Sequence, residues 1–266
     1  MPPDPTTARE LLDFYLEAGA DALVGEEPVD RFAEIAPAPR AAVAPTAAKP
    51  AAAQRPVVAA PTLAPAAPDA AAMEAREAAK SAATLDELRG ILERFEGCAL
   101  KATASRLVFA DGNPQARLML VGEAPGRDED IEGLPFVGRS GKLLDRMLAA
   151  IGLDRGSVYI ANVVPWRPPG NRTPTPQETQ VCLPFITRQI ELANPDVLVC
   201  LGGPSAQTLL GQSGITKIRG RWFTFHTGAR EIRAMPTFHP AFLLRSPLQK
   251  RFAWRDFLAI KKALNG

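Results

Sequence analysis

Cysteine, histidine and tyrosine are scarce in this chain of 266 residues, which holds three, two and two of them. Cys98, Cys182 and Cys200 make no even disulfide framework. No run of ~18 apolar residues is present, so no membrane span is expected. The first residues, MPPDPTTARELLDFY, lack the basic segment and apolar core of a secretory signal. A cytoplasmic protein is the expectation. No internal repeat is found. Glycine-rich turns occur, but no Gly-Lys-Ser/Thr follows them, which ranks a phosphate-loop nucleotide hydrolase last among the readings.

Proline, by contrast, is abundant at 26 residues, and much of the excess lies in one stretch. Residues 35–83 are mostly Ala and Pro and read as a semi-extended, flexible linker, with partial helix near 70–83. Before it, residues 1–34 form an amphipathic helical segment with Leu12, Tyr15, Leu16 and Leu23 near one face. Such a helix on a tether suits docking to a protein partner, or stays an unbound tail. The globular domain is expected over 84–266, and a monomer is expected. Charge divides along the same lines. Residues 1–80 carry seven Lys/Arg against twelve Asp/Glu, and residues 81–266 carry twenty-four against seventeen. The basic part suits a polyanionic partner.

Within the domain, apolar runs alternate with helical periodicity in the α/β manner. A capping box at Thr84–Glu87 opens a helix to about Gly97. A short strand at Leu107–Phe109 precedes the turn Asp111-Gly112-Asn113-Pro114. Strands near 117–122, 157–164 and 196–202 are followed by helices near 140–151, 177–193 and 204–210. Strands near 221–226 and 231–237 lead to a last helix.

The chain is organised around LMLVGEAPGRDEDIEGLPFVGRSG, residues 118–141. A buried strand runs into a loop of Gly, Pro and carboxylates, then into a helix. Ligands in open α/β sheets bind at the carboxyl ends of strands. Three further loops are expected at the same edge. Asn162–Pro174 is stiff with proline and carries Arg167 and Arg172. Thr237–Pro247 holds His239, one of the two histidines. Ile215–Arg221 carries Lys217, Arg219 and Arg221.

GEAPG (122–126), PFVG (135–138), NVVPWRPPGNRTP (162–174) and FHPAFLLR (238–245), in this order, resemble family 4 uracil-DNA glycosylases over about residues 95–262. The resemblance implies a three-layer α/β/α sandwich with a central four-stranded parallel sheet. It also implies a monofunctional enzyme that flips uracil out of DNA and hydrolyses its N-glycosidic bond, starting base excision repair. Uracil-containing DNA is then the partner. The alternative is a non-catalytic DNA-binding module that keeps the fold.

By this resemblance Phe136 is the aromatic platform for the base, and Asn162 reads its edge with one donor and one acceptor. Glu129 stands near C5, where it would exclude the thymine methyl, with Asp128 or Asp130 as stand-ins. His239 donates to O2 of the leaving base, and Glu123 stabilises the sugar cation and orients water. Gly122, Ala124, Pro125 and Gly126 allow close backbone approach. Arg139, Arg167, Arg172 and Arg245 are phosphate contacts, with Lys217 and Arg219 further out. Leu243 and Leu244 are either helix core or an apolar wedge for the base stack. A relative with a covalent histidine–DNA mechanism carries an Arg-rich insert in this loop. None lies between Gly126 and Ser140.

Most members of that family hold a [4Fe–4S] cluster on four cysteines. Cys98 and Cys182 match two of the positions, but Phe95 and Trp166 occupy the others. Neither can ligate iron. The expectation is no metal and no cluster, with Phe95 and Trp166 filling its space and Cys200 a buried hydrophobe.

Overall fold

The computed structural model describes residues 68–265. The amphipathic segment 1–34 and the linker up to residue 67 lie outside the described residues. Near the linker's expected end stands a helix, α1 (Pro68–Ser81). Ala71, Ala75, Ala79 and Ala82 are buried along one side of it. Alanine has the highest helix propensity, and its small side chain lets two helices approach closely. The folded domain therefore begins by Pro68, well before residue 84. Two bonds from Arg188 to the Ala82 carbonyl, 3.0 and 2.7 Å, tie this end of the chain to the domain.

After α1 come α2 (Leu85–Arg94), β1 (Asp111–Gly112), β2 (Leu118–Gly122), α3 (Arg127–Glu132), α4 (Arg139–Ala150) and β3 (Tyr159–Asn162). The chain continues through α5 (Pro176–Ala193), β4 (Val197–Leu201), α6 (Gly203–Leu210), α7 (Ile215–Ile218), β5 (Phe223–His226), β6 (Glu231–Thr237), α8 (Pro240–Arg245) and α9 (Lys250–Leu264). Thr84 caps α2 as its sequence suggests, accepting from the Glu87 N–H at 3.2 Å.

The six strands form one sheet in the order β1-β3-β2-β4-β6-β5. The central four are parallel, and β1 and β5 add to the edges antiparallel. The sheet is thus mixed, with the expected parallel quartet inside it. The strand anticipated at Leu107–Phe109 does not form. That segment runs without a ladder, although Val108 N–H reaches the Pro165 carbonyl at 2.9 Å. The edge strand is instead the first half of the anticipated turn, Asp111–Gly112 pairing with Ile160 and Tyr159.

β2, β3 and β4 are buried at every residue, as expected for parallel strands covered on both faces. Alternate residues of β2 serve two cores. Met119 and Val121 pack with α1, α2 and α5 through Leu88, Phe185 and Ile186. Leu118 and Leu120 pack with α4 and α9 through Leu144, Leu148 and Phe257. β2 sits between β3 and β4, so the chain leaves it toward one side and later returns on the other. The crevice beyond its carboxyl end is a topological switch point. No helix among the described residues is long and apolar enough to cross a membrane.

Candidate functional site

Register decides what meets at that crevice. Gly122 pairs with Asn162, and Leu201 with Thr237. The residues just past these pairs, Glu123, Gly202, Gly203 and His239, line one cavity of about 640 Å³ together with Ala124, Phe136 and Asn162. Every residue expected to touch the base therefore converges, except that Gly122 forms the floor behind it. A Cβ at Gly122 would run into the Asn162 amide oxygen and the Phe136 ring. Only glycine lets those two side chains lie this close to the strand end.

Phe136 is nearly buried and holds φ at +56°. A non-glycine residue in this region costs about 1–3 kcal/mol and persists when its surroundings over-determine it. They do so here from two sides. Glu129 Oε1 accepts from the N–H groups of Val137 and Gly138, both at 3.0 Å, and its Oε2 accepts from Gly126 at 3.1 Å. From the other side Arg155 donates to the carbonyls of Pro135, at 3.2 Å, and of Phe136. Arg155 is itself held by Asp145, at 2.8 Å, and by Asp111. Gly141 completes the clamp, since a Cβ there would overlap the Phe136 carbonyl.

Two expectations change accordingly. Glu129 lines the cavity, and Asp128 and Asp130 do not, so neither neighbour substitutes for it. Both Glu129 oxygens, however, are engaged by the loop, so its first task is to build the platform. Asp130 is committed elsewhere, accepting from Ser105 and Arg106 N–H at 2.8 and 3.3 Å. Arg155 had no signal in the sequence. It follows an Asp in an ordinary turn, and its partners lie 10 to 44 residues away.

His239 caps α8, its Nδ1 accepting from the Ala241 N–H at 3.1 Å. An accepting Nδ1 leaves the proton of the neutral ring on Nε2. Burial, helped by the charge of Arg245, pushes His239 down to about 4. The ring is thus neutral across the physiological range and has one N–H to offer. It stacks near Phe136, with ring centroids 5.4 Å apart and planes 30° apart.

Glu123 follows β2 directly. Its Oε1 is buried without a hydrogen-bond partner, and burial raises its carboxyl above the ordinary range. An unpartnered buried carboxylate oxygen is costly, and such groups mark chemistry or a bound molecule. Asn162 is also nearly buried, at the end of β3.

The basic residues divide. Arg139, Lys217 and Arg245 are exposed, and Arg245 lines the cavity mouth. Arg172 lines it as well but grips Glu178 with two bonds of 2.8 and 2.7 Å. Arg167 donates to Asn171 at 2.7 Å. Arg219 is engaged within the protein. It is drawn inward by Asp256, with Nε to Oδ2 at 2.9 Å, and by the Phe252 carbonyl at 2.8 Å. The same Asp256 oxygen accepts from Thr237 at 2.7 Å. Leu243 is completely buried with Phe238 and Ala253, so it is core. Leu244 beside it is exposed and is the leucine free to meet a base stack.

The corner of the two matching cysteines is apolar. Phe95, Cys98, Trp166 and Cys182 are all buried in one cluster, and Phe95 packs edge-on against Phe185 with centroids 5.0 Å apart. The two sulfurs are 3.9 Å apart. No group of three or more His, Cys, Asp or Glu that could hold a metal ion occurs among the described residues. A four-thiolate iron–sulfur cluster does not fit these side chains, because two of its corners are occupied by rings with no donor atom.

Residues 109–258 match the family model described as the uracil DNA glycosylase superfamily. A Type-4 uracil-DNA glycosylase from Archaeoglobus fulgidus is 40% identical over 182 residues, covering 66% of this chain and 92% of the relative. One from Saccharolobus solfataricus is 39% identical over 187 residues, 68% and 87% of the two chains. One from Thermotoga maritima is 43% identical over 169 residues, 61% and 86%.

Proposed function

The chain belongs to the uracil DNA glycosylase superfamily, and we propose that it removes uracil from DNA by hydrolysing the N-glycosidic bond. One observation carries this reading: a neutral imidazole with its proton on Nε2 and an unpartnered buried carboxylate share a cavity with an amide and an aromatic face.

The base must first leave the stack, at a cost of roughly a few kcal/mol. Leu244 is placed to fill the gap it leaves. Once in the cavity the base lies against Phe136, where stacking contributes about 1–3 kcal/mol. The Asn162 amide donates to O4 and accepts from N3–H, a pattern that cytosine reverses. As the bond to C1′ lengthens, negative charge gathers on the base and positive charge on the sugar. His239 Nε2–H donates to O2 and stabilises the departing anion without itself being charged. The Glu123 carboxylate stabilises the sugar cation and orients the water that attacks it. The burial that raises its carboxyl also strengthens its field on that cation.

No iron–sulfur cluster takes part in this scheme, and the purified protein is expected to be colourless. A uracil-containing oligonucleotide incubated with the protein and then nicked with alkali tests the activity. Cleavage that falls in Asn162→Ala and His239→Ala supports the reading. DNA binding without base release would overturn it in favour of a binding module.

A further inference from the structure

The outer face of α4 is not explained by the base-binding cavity. Arg139, Lys142 and Arg146 recur at intervals of three and four residues and are all exposed. They lie opposite Gly141, Leu144 and Leu148, which are buried. None of the three enters an ion pair among the described residues. The one acid of α4, Asp145, is taken by Arg155. Some surface arginines are neutralised by neighbours, as Arg188 is by Glu191 and Arg117 by Asp196. Others, among them Arg251 and Arg255 of α9, are also unpaired among the described residues but are not on the helix that starts beside the cavity-lining Ser140. Three unpaired cations on one stripe repel one another, and a polyanion relieves that repulsion.

The stripe also starts at the right place. Ser140, next to Arg139, lines the cavity, as does Arg245 of α8. α8 packs on α4, Leu243 and Phe242 meeting Leu143 and Met147. From Arg139 to Arg146 the helix rises about 10 Å, with a cation at roughly each turn. We infer that a DNA strand flanking the flipped nucleotide runs along α4, its phosphates held in turn by Arg139, Lys142 and Arg146. The surface commits to a phosphodiester strand because the stripe is cationic throughout and continuous with the cavity mouth. The inference rests on the glycosylase reading for the occupant of the cavity, but its test does not depend on base release.

The experiment measures binding of a uracil-free 30-base-pair duplex across a salt series, for the wild-type chain and for Lys142→Ala/Arg146→Ala. Each lost phosphate contact lowers the slope of log affinity against log salt by about 0.9, so the double variant should lose about 1.8. A control, Lys261→Ala/Lys262→Ala, removes the same net charge from the end of α9. Lys261 lies beside Gly152, past the end of α4 remote from the cavity. Its slope should stay near that of the wild type. In the uracil-release assay the Lys142/Arg146 variant should raise KM several-fold on the long duplex and leave kcat unchanged. An unchanged slope in the double variant, or equal losses in the control, overturns the inference. Failure of the wild-type chain to release uracil would overturn the glycosylase reading and leave the slope result standing.

Discussion

The cavity at the carboxyl edge of the sheet and the cysteine corner on its α1–α5 face are built oppositely. The cavity keeps polar groups out of water without satisfying them. Glu123 has an orphan oxygen, His239 is held neutral, and Phe136 sits at positive φ. The corner keeps nothing unsatisfied beyond two thiols, and its rings pack like any core. Unmet polar and backbone demands mark the first region as a working site. The second has no such demands and packs as core. Phe95 and Trp166 fill this corner beside the two thiols, because voids in a close-packed interior are costly.

The comparison can be broken by one substitution in each region. His239→Ala should lower the single-turnover rate of uracil release by about 10²–10³-fold, the size of a lost donor to a developing anion, while the thermal midpoint barely moves. In the corner, Trp166→Ala should do the reverse. Emptying so large a buried side chain costs about 3–5 kcal/mol in denaturant unfolding, with the rate per folded molecule nearly unchanged. A large rate loss in the second variant would mean the corner is coupled to the chemistry.

Glu123 sharpens the contrast through pH. Its raised carboxyl must be ionised to act, so activity should fall on acidification at a higher pH than an ordinary glutamate would give. Glu123→Gln should abolish that acid limb along with about 10²-fold or more of the rate. His239, at about 4, should contribute no limb near 6.5. The smallest effect is on stability at the rim. Arg172 holds Glu178 down to about 2. A depressed carboxylate stabilises above its unfolded value and loses that contribution as pH falls through the folded one. The wild-type thermal midpoint should therefore fall between about pH 4.5 and 2 more steeply than that of Arg172→Ala, by a small margin because Arg172 is exposed and solvent screens the pair.

Much of this site could be read before any coordinates. The order of strands and helices follows from apolar runs and periodicity, and the cavity residues Glu123, Phe136, Asn162 and His239 stand at strand ends or loop tips. What could not be read is the use of charge. Arg219 and Arg172 look like surface cations in sequence, but one is drawn inward by Asp256 and the other is neutralised by Glu178. Glu129 looks like a specificity residue, yet its oxygens meet three backbone N–H groups. Leu243 and Leu244 are neighbours of identical chemistry, and only helix rotation separates the buried one from the exposed one. Alanine is ambiguous at the end of the linker, where the helix Pro68–Ser81 stands. It suits a polar tether rich in proline, and it equally suits a close helix–helix seam.

The sequence alone determined the α/β alternation and the set of loops that carry chemistry, because hydrophobic period and turn residues act locally; the parallel quartet was legible only through the family resemblance. Through that resemblance the sequence also set Phe95 and Trp166, neither of which can ligate iron, at two positions where the family has cysteines. Only the tertiary structure decided which charges are free, which histidine nitrogen holds the proton and why Phe136 keeps its strained backbone. The charges and the strained backbone depend on partners tens of residues away, such as Arg155 on Asp111 and Arg219 on Asp256, which meet only when the chain folds; the histidine proton is set by the cap that His239 forms on Ala241.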